Sequence, residues 1–249
     1  MKSIYILLFI ISINAFSQVN FIDENGLKQG YWTLFFPYQK ADSIVSEEGS
    51  FINDLEDGLW IKYHDNSQVR EIIQFENGKL NGLRLLIEKN GKIKEQEFFL
   101  NGKFHGNQLY FHENGKVSMS LSYFNGLKQG SLVKYYKNGK IQEIADYIND
   151  KKNGFSKWYF DNEQLSLQYK YLNGSIIDTA FAYYKNGELK AKYIYLDNKL
   201  HGEKITYHPS GYVKETGRYV HDKKEGYWCE YDTLGNQIDC IKYKNGLKK

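Results

Sequence analysis

The chain has 249 residues, 41% of them apolar, and its 33 Lys and Arg against 30 Asp and Glu leave a net charge of +3. That near balance gives no basic footprint for nucleic acid. Aromatic residues make up 16% of the sequence and proline occurs twice, a composition suited to strands and tight turns.

Met1-Lys2-Ser3 is a short basic start, and the apolar run Ile4–Ile13 that follows is too short to span a bilayer. Ala15-Phe16-Ser17 offers small residues at the two positions a signal peptidase reads. Residues 1–17 are therefore expected to be a signal peptide cleaved before Gln18, which implies an exported protein. Beyond it no run is long enough for a transmembrane helix.

From Gly30 onward one unit recurs. The glycines that open it are Gly30, Gly58, Gly82, Gly106, Gly130, Gly154, Gly202 and Gly226, with Asp178 in the one missing place. After Gly58 every step is 24 residues, and the first step is 28, the extra four lying within 37–49. A fixed period of this size is the signature of a solenoid or array. Five residues after each anchor stands an aromatic in eight units of nine, from Phe35 to Tyr231, with Ile87 the exception. Three after it stands a mostly apolar row, from Thr33 to Cys229. Later in the unit come a row from Val69 to Val213 and the wholly aromatic row Phe51 to Tyr243. Alternation within each stretch predicts two half-buried strands, with these rows as the core.

The turn between the strands is of the type Lys137-Asn138-Gly139. A two-residue loop would set Tyr135 opposite Gln142; a three-residue loop sets it opposite Ile141, apolar on apolar. That selects a type I turn followed by a left-handed glycine. Pro37 and Pro209 fall on its first central position, which their fixed φ favours. The whole predicts an all-β fold: an elongated antiparallel β-meander or solenoid of about nine β-hairpin repeats, one array over residues 18–249. A lone hairpin cannot bury its apolar face, but hairpins added edge to edge can.

Gly226-Tyr227-Trp228 through Tyr231, and Tyr123-Phe124-Asn125-Gly126-Leu127-Lys128-Gln129-Gly130, resemble the two halves of the MORN-repeat variant of bacterial proteins. The resemblance implies a repeat module that binds or scaffolds, and members of the family are often labelled antitoxin components of toxin–antitoxin systems. The chain departs from the pattern at Asp178 and Glu163, each in a glycine's place.

No catalytic motif, cofactor loop or metal-ligand spacing appears, so no enzyme, cofactor or metal is expected. His64, His112 and His208 share one place in the repeat but in units that are not neighbours; His105 and His201 precede anchors. The four tryptophans have the opposite parity to the core rows. Simple alternation gathers Tyr136, Trp158, Phe160 and Tyr184 on the second face, a candidate binding patch. The partner expected is a protein, with a glycan or cell-wall polymer and a toxin as alternatives. Cys229 and Cys240 lie in the two strands of the last hairpin. In the register of the other units Cys229 would face Asp239; a four-residue loop would set the cysteines opposite each other, so a disulfide and two free thiols both remain open.

Overall fold

The computed structural model describes residues 19–37 and 44–249; the expected signal peptide, residues 1–17, and residues 38–43 of the insertion lie outside them. Twenty-two strands and no helix occur among the described residues, and every strand pairing is antiparallel. Twenty of these belong to nine hairpins, in which one strand is split at His105 and another at His201, and one short strand is added at either end.

The hairpin turn is the one expected. In the fifth unit Gly139 N–H donates to the Tyr136 carbonyl and Tyr136 N–H to the Lys140 carbonyl, both at 2.8 Å, with Gly139 at φ 91°. Tyr135 pairs with Ile141. Pro209 sits between His208 and the Gly211 that donates to it, on the first central position. Where glycine is missing, Glu163 takes the same left-handed turn at φ 71°, and Asp178 the anchor conformation at φ 64°. Left-handed backbone is costlier for glutamate than for aspartate, whose short side chain bonds locally. Glu163→Gly is therefore expected to gain about 1 kcal/mol, since its ion pair with Lys140 joins two exposed side chains and contributes little. A denaturation midpoint at or below wild type would refute this.

Units are joined by a second, tighter turn. Asn125-Gly126 links Phe124 to its partner Leu127, with φ 50° and 86°. Two left-handed residues in a two-residue loop make a type I′ turn. The same geometry recurs from Asn53-Asp54 to Asn245-Gly246.

Two bulges per unit decide which side chains are buried. After each type I turn the second strand carries an extra residue: Lys134 pairs with Glu143 but Tyr135 with Ile141, leaving Gln142 over. The same slip is found in all nine hairpins. A second bulge lies at the anchor glycine, where Ala145 and Tyr147 pair with Ser156 and Lys152. The first bulge flips the parity of the second strand. The Phe51-to-Tyr243 row thereby joins the tryptophans, and the row from Phe35 to Tyr231 goes to the other face.

This corrects the expected core. The buried apolar residues include Trp32, Trp60 and Trp228, with Ile73, Leu121, Leu132 and Ala145, and all lie on one face. Phe51 meets Trp60 edge to face at 4.9 Å between ring centroids, and Tyr219 meets Trp228 in the same way at 4.8 Å. Among the described residues no second layer covers this face, so its burial comes from its own neighbours packing together on a strongly bulged sheet, which bulges twist and bend. It is the inner face.

The last hairpin keeps the register of its siblings. Ile238 is its bulge residue, and Cys229 therefore pairs with Cys240 with no longer loop. Their Cα atoms are 4.0 Å apart and the pair is joined as a disulfide.

Candidate interaction faces

Each tryptophan two residues after an anchor does a local job. The indole covers the glycine bulge and donates to a nearby carbonyl: Trp60 Nε1 to the Ser50 carbonyl at 3.0 Å and Trp228 Nε1 to the Arg218 carbonyl at 3.2 Å on the preceding strand, and Trp32 Nε1 to the Gln29 carbonyl of its own strand at 3.1 Å. Gln108 fills the same place in the fourth unit, where its amide bonds both the N–H and the carbonyl of Phe98. Ser156, at that place in the sixth unit, is buried with no partner for its hydroxyl.

The inner face carries two clusters of paired charge, and Lys28, Lys128 and Lys224 lie over its rings. Arg84 lies between Glu71 and Glu97 at 2.5 Å from each, with Glu95 at 3.6 Å. Glu143 takes Lys134 at 2.8 Å and Lys152 at 3.2 Å. Burial pushes the Glu143 carboxyl up, but the hydrogen bonds from the two lysines more than offset that, and it titrates below its ordinary 4.5. A carboxyl depressed in the fold stabilises fully above its unfolded value, and that contribution is lost as the pH falls through the folded one. Glu143→Gln should thus cost about 1–2 kcal/mol at neutral pH, with the gap to wild type closing as the pH drops below 4.5. A gap in urea melts that stays constant into acid would show that the charge is not its source.

The turn edges are laddered from unit to unit. On the type I edge His64, His112 and His208 each place Nε2 2.9 Å from a carbonyl of the next unit, at Ile87, Tyr135 and Tyr231. Tyr136 and Tyr184 donate their hydroxyls in the same way to Tyr159 and Tyr207 carbonyls at 2.7 Å. On the type I′ edge the second turn residue donates its N–H to a carbonyl of the preceding unit, as Gly126 does to Phe104 and Gly174 to Lys152, both at 2.8 Å.

The expected patch of Tyr136, Trp158, Phe160 and Tyr184 is distributed differently. Trp158 stands on the inner face, edge on to Tyr169 at 5.9 Å with Lys152 Nζ over its ring at 4.8 Å. Tyr136, Phe160 and Tyr184 open successive type I turns, and the two tyrosine hydroxyls are engaged in the ladder. All four are half-buried. The shared place of the three histidines was visible in the sequence; their bonds were not, because they depend on turns 23 or 24 residues apart being edge neighbours.

Among the described residues no three His, Cys, Asp or Glu side chains are grouped to hold a metal, and no helix is long and apolar enough to cross a membrane. The broad depressions on the surface, such as one of about 240 Å³ between Tyr184, Tyr193, Lys204 and Glu215, are shallow features between units.

Residues 56–77, 104–125 and 128–149 match the model of the MORN repeat variant family. Each match begins two residues before an anchor glycine and ends on the first residue of a type I′ turn. The chain carries MORN repeat variants. Its other units share the turns, bulges and ladders of the three matched MORN units. No curated protein matches the chain. Among solved structures, 55% of it aligns with 26% of a chain in a GtfA/B complex bound to UDP and GlcNAc, at 13% identity and a TM-score of 0.23. Another 86% alignment covers 18% of a chain in the TcdB2-TccC3-Cdc42 structure, at 10% identity and a TM-score of 0.17. The MORN array thus spans about a quarter and about a fifth of the two chains, and likeness at that level carries no argument.

Proposed function

We propose that this protein is an exported, non-catalytic MORN-variant scaffold that holds a protein partner along its extended sheet. One observation carries the proposal. Several of the side chains that could do chemistry are engaged in the array itself: His64, His112, His208, Tyr136 and Tyr184 on the next unit's carbonyls, and Glu71, Glu97 and Glu143 on Arg84, Lys134 and Lys152. The outer face meanwhile leaves apolar side chains exposed in register, among them Leu59, Phe124, Phe155 and Tyr227. Exposed apolar surface of that kind marks interaction sites.

Export is supported by the basic start and short apolar run at the N-terminus, and a disulfide between Cys229 and Cys240 suits an oxidising compartment. A glycan is the weaker partner, since stacking on sugars needs free indole faces and Trp32, Trp60 and Trp228 are less than a tenth exposed. A toxin, as in the antitoxin-type reading, would be one case of a protein partner.

The test is a photo-crosslinking amino acid placed at Phe155 or Tyr227 on the outer face and at Tyr147 on the inner face, irradiated in the native cell. A protein adduct of discrete mass from at least one position supports the function; adducts from none overturns it. A mature N-terminus at Gln18 in the envelope fraction supports export, and full-length chain in the cytosol overturns that half.

A further inference from the structure

We infer that the type I′ edge of the outer face is a docking ribbon for an acidic amphipathic helix. The inference rests on the protein-binding function just proposed and names the surface and the chemistry of the partner. The residue before each type I′ turn is apolar and open to solvent in five successive units: Leu100, Phe124, Ile148, Leu172 and Leu196 are between 41% and 59% exposed. None of these side chains belongs to the buried core, so folding does not account for them.

Their cross-strand partners are the second half of the observation. Three of the five pair with a lysine, Leu100 with Lys103, Ile148 with Lys151 and Leu196 with Lys199, as does Val220 with Lys223 in the next unit; Phe124 pairs with Leu127 and Leu172 with Ser175. Cross-strand partners share a face, so apolar and cationic side chains interleave in a single ribbon. These four lysines are exposed, and none is in an ion pair among the described residues. Their stems lean on the following turn: a Cβ at Gly126, Gly174 or Gly246 would lie 3.6, 3.7 or 3.8 Å from Lys103, Lys151 or Lys223.

Spacing selects the occupant. Successive units are two strands apart, roughly 9.6 Å at the usual strand separation. A helix repeats a face every seven residues, roughly 10.5 Å. Over four units the mismatch stays near 4 Å, within reach of flexible side chains on both partners. A helix with one apolar residue per heptad flanked by glutamates would set each apolar residue against one unit of the ribbon and its acids against the lysines. A flat anionic membrane has no repeat to match the units, and the vesicles below test for it.

The probe is a labelled synthetic peptide of four heptads, with leucine at the apolar positions and glutamate at the flanking ones, whose like charges keep it from self-associating. A matched peptide with lysine for glutamate and vesicles of phosphatidylglycerol complete the set. Binding to the full mature chain is read by fluorescence anisotropy. The acidic helix is expected to bind at least tenfold more tightly than the basic one. Ile148→Ser/Leu172→Ser/Leu196→Ser should weaken it at least tenfold. Lys151→Glu/Lys199→Glu/Lys223→Glu should reverse the preference toward the basic peptide. Equal affinity for both peptides, no binding of the acidic one, indifference to either set of substitutions, or binding to the vesicles alone would each overturn the inference. Crosslinks confined to the inner face would also sink the ribbon while leaving the protein-binding function standing.

Discussion

Gly49→Ala and Gly217→Ala should each cost about 3–5 kcal/mol, although each adds one methyl group. A Cβ on Gly49 would lie 2.3–2.5 Å from three atoms of the Trp60 ring, and one on Gly217 would lie 2.2–2.6 Å from Trp228. Neither glycine has a positive φ, so the penalty is steric and not conformational. Little around the rings can yield. Trp60 is 2% exposed, packs against Phe51 and Phe75, and its Nε1 holds the Ser50 carbonyl at 3.0 Å. To admit the methyl, the indole must leave, abandoning its burial and its hydrogen bond, or the strands must part. The first outcome caps the cost near that of Trp60→Ala. A double-mutant cycle separates steric conflict from any general intolerance at the site: once Trp60 is alanine, Gly49→Ala should cost under about 1 kcal/mol. Because each hairpin touches only its neighbours, the loss should show as faster amide exchange in the first two units, with the last two unchanged, and the reverse for Gly217→Ala. Midpoints within about 1 kcal/mol of wild type for the single variants would show that the indoles move freely.

Those two glycines mark what the sequence could and could not reveal. Each stands eleven residues before a tryptophan, at matching places in units far apart, outside every turn. A glycine inside a strand signals close approach, so the pairing could have been read. The period and the type I turn were legible because their chemistry is local: Asn and Gly at fixed offsets, proline where φ suits it. The side of the sheet each ring would take was not. It hangs on a bulge whose extra residue is Gln142 in one unit and Ile238 in another, with no common side chain to announce it. One uncounted residue turns a strand over. That single slip placed the tryptophans outside, set Cys229 against Asp239, and assembled Tyr136, Trp158, Phe160 and Tyr184 into a patch. The edge ladders were hidden for another reason. A histidine that bonds a carbonyl 23 residues on looks like any exposed histidine until the neighbouring turn is placed beside it.

Removing Arg84 should be the other large loss, about 3–5 kcal/mol at neutral pH. The guanidinium is the one cation among three carboxylates, and two of them, Glu71 and Glu97, are buried. Tyr110 adds a hydroxyl to Glu97 at 3.3 Å, which a neutral donor can offer but which does not cancel a charge. Arg84→Met keeps the length and the apolar stem and deletes the charge, so lost packing contributes little. What remains is a set of like charges in a poorly solvated place, each raising the others' affinity for protons. Their folded pKa values then stand above the unfolded ones. A carboxyl raised in the fold destabilises it at high pH, and the penalty is relieved as the pH falls through the raised value. Arg84→Met should therefore regain stability toward wild type as the pH is lowered from 7 to about 5, the opposite trend to the one Glu143 gives. Mere loss of packing would leave the deficit flat across that range. Adding Glu71→Met and Glu97→Leu to Arg84→Met, so that no charge is left unpaired, should recover most of the deficit at neutral pH, since an apolar cluster of similar volume commonly equals a buried ionic one. If the triple variant is no more stable than Arg84→Met alone, the guanidinium holds the third unit by its shape and hydrogen bonds and not by neutralising its neighbours.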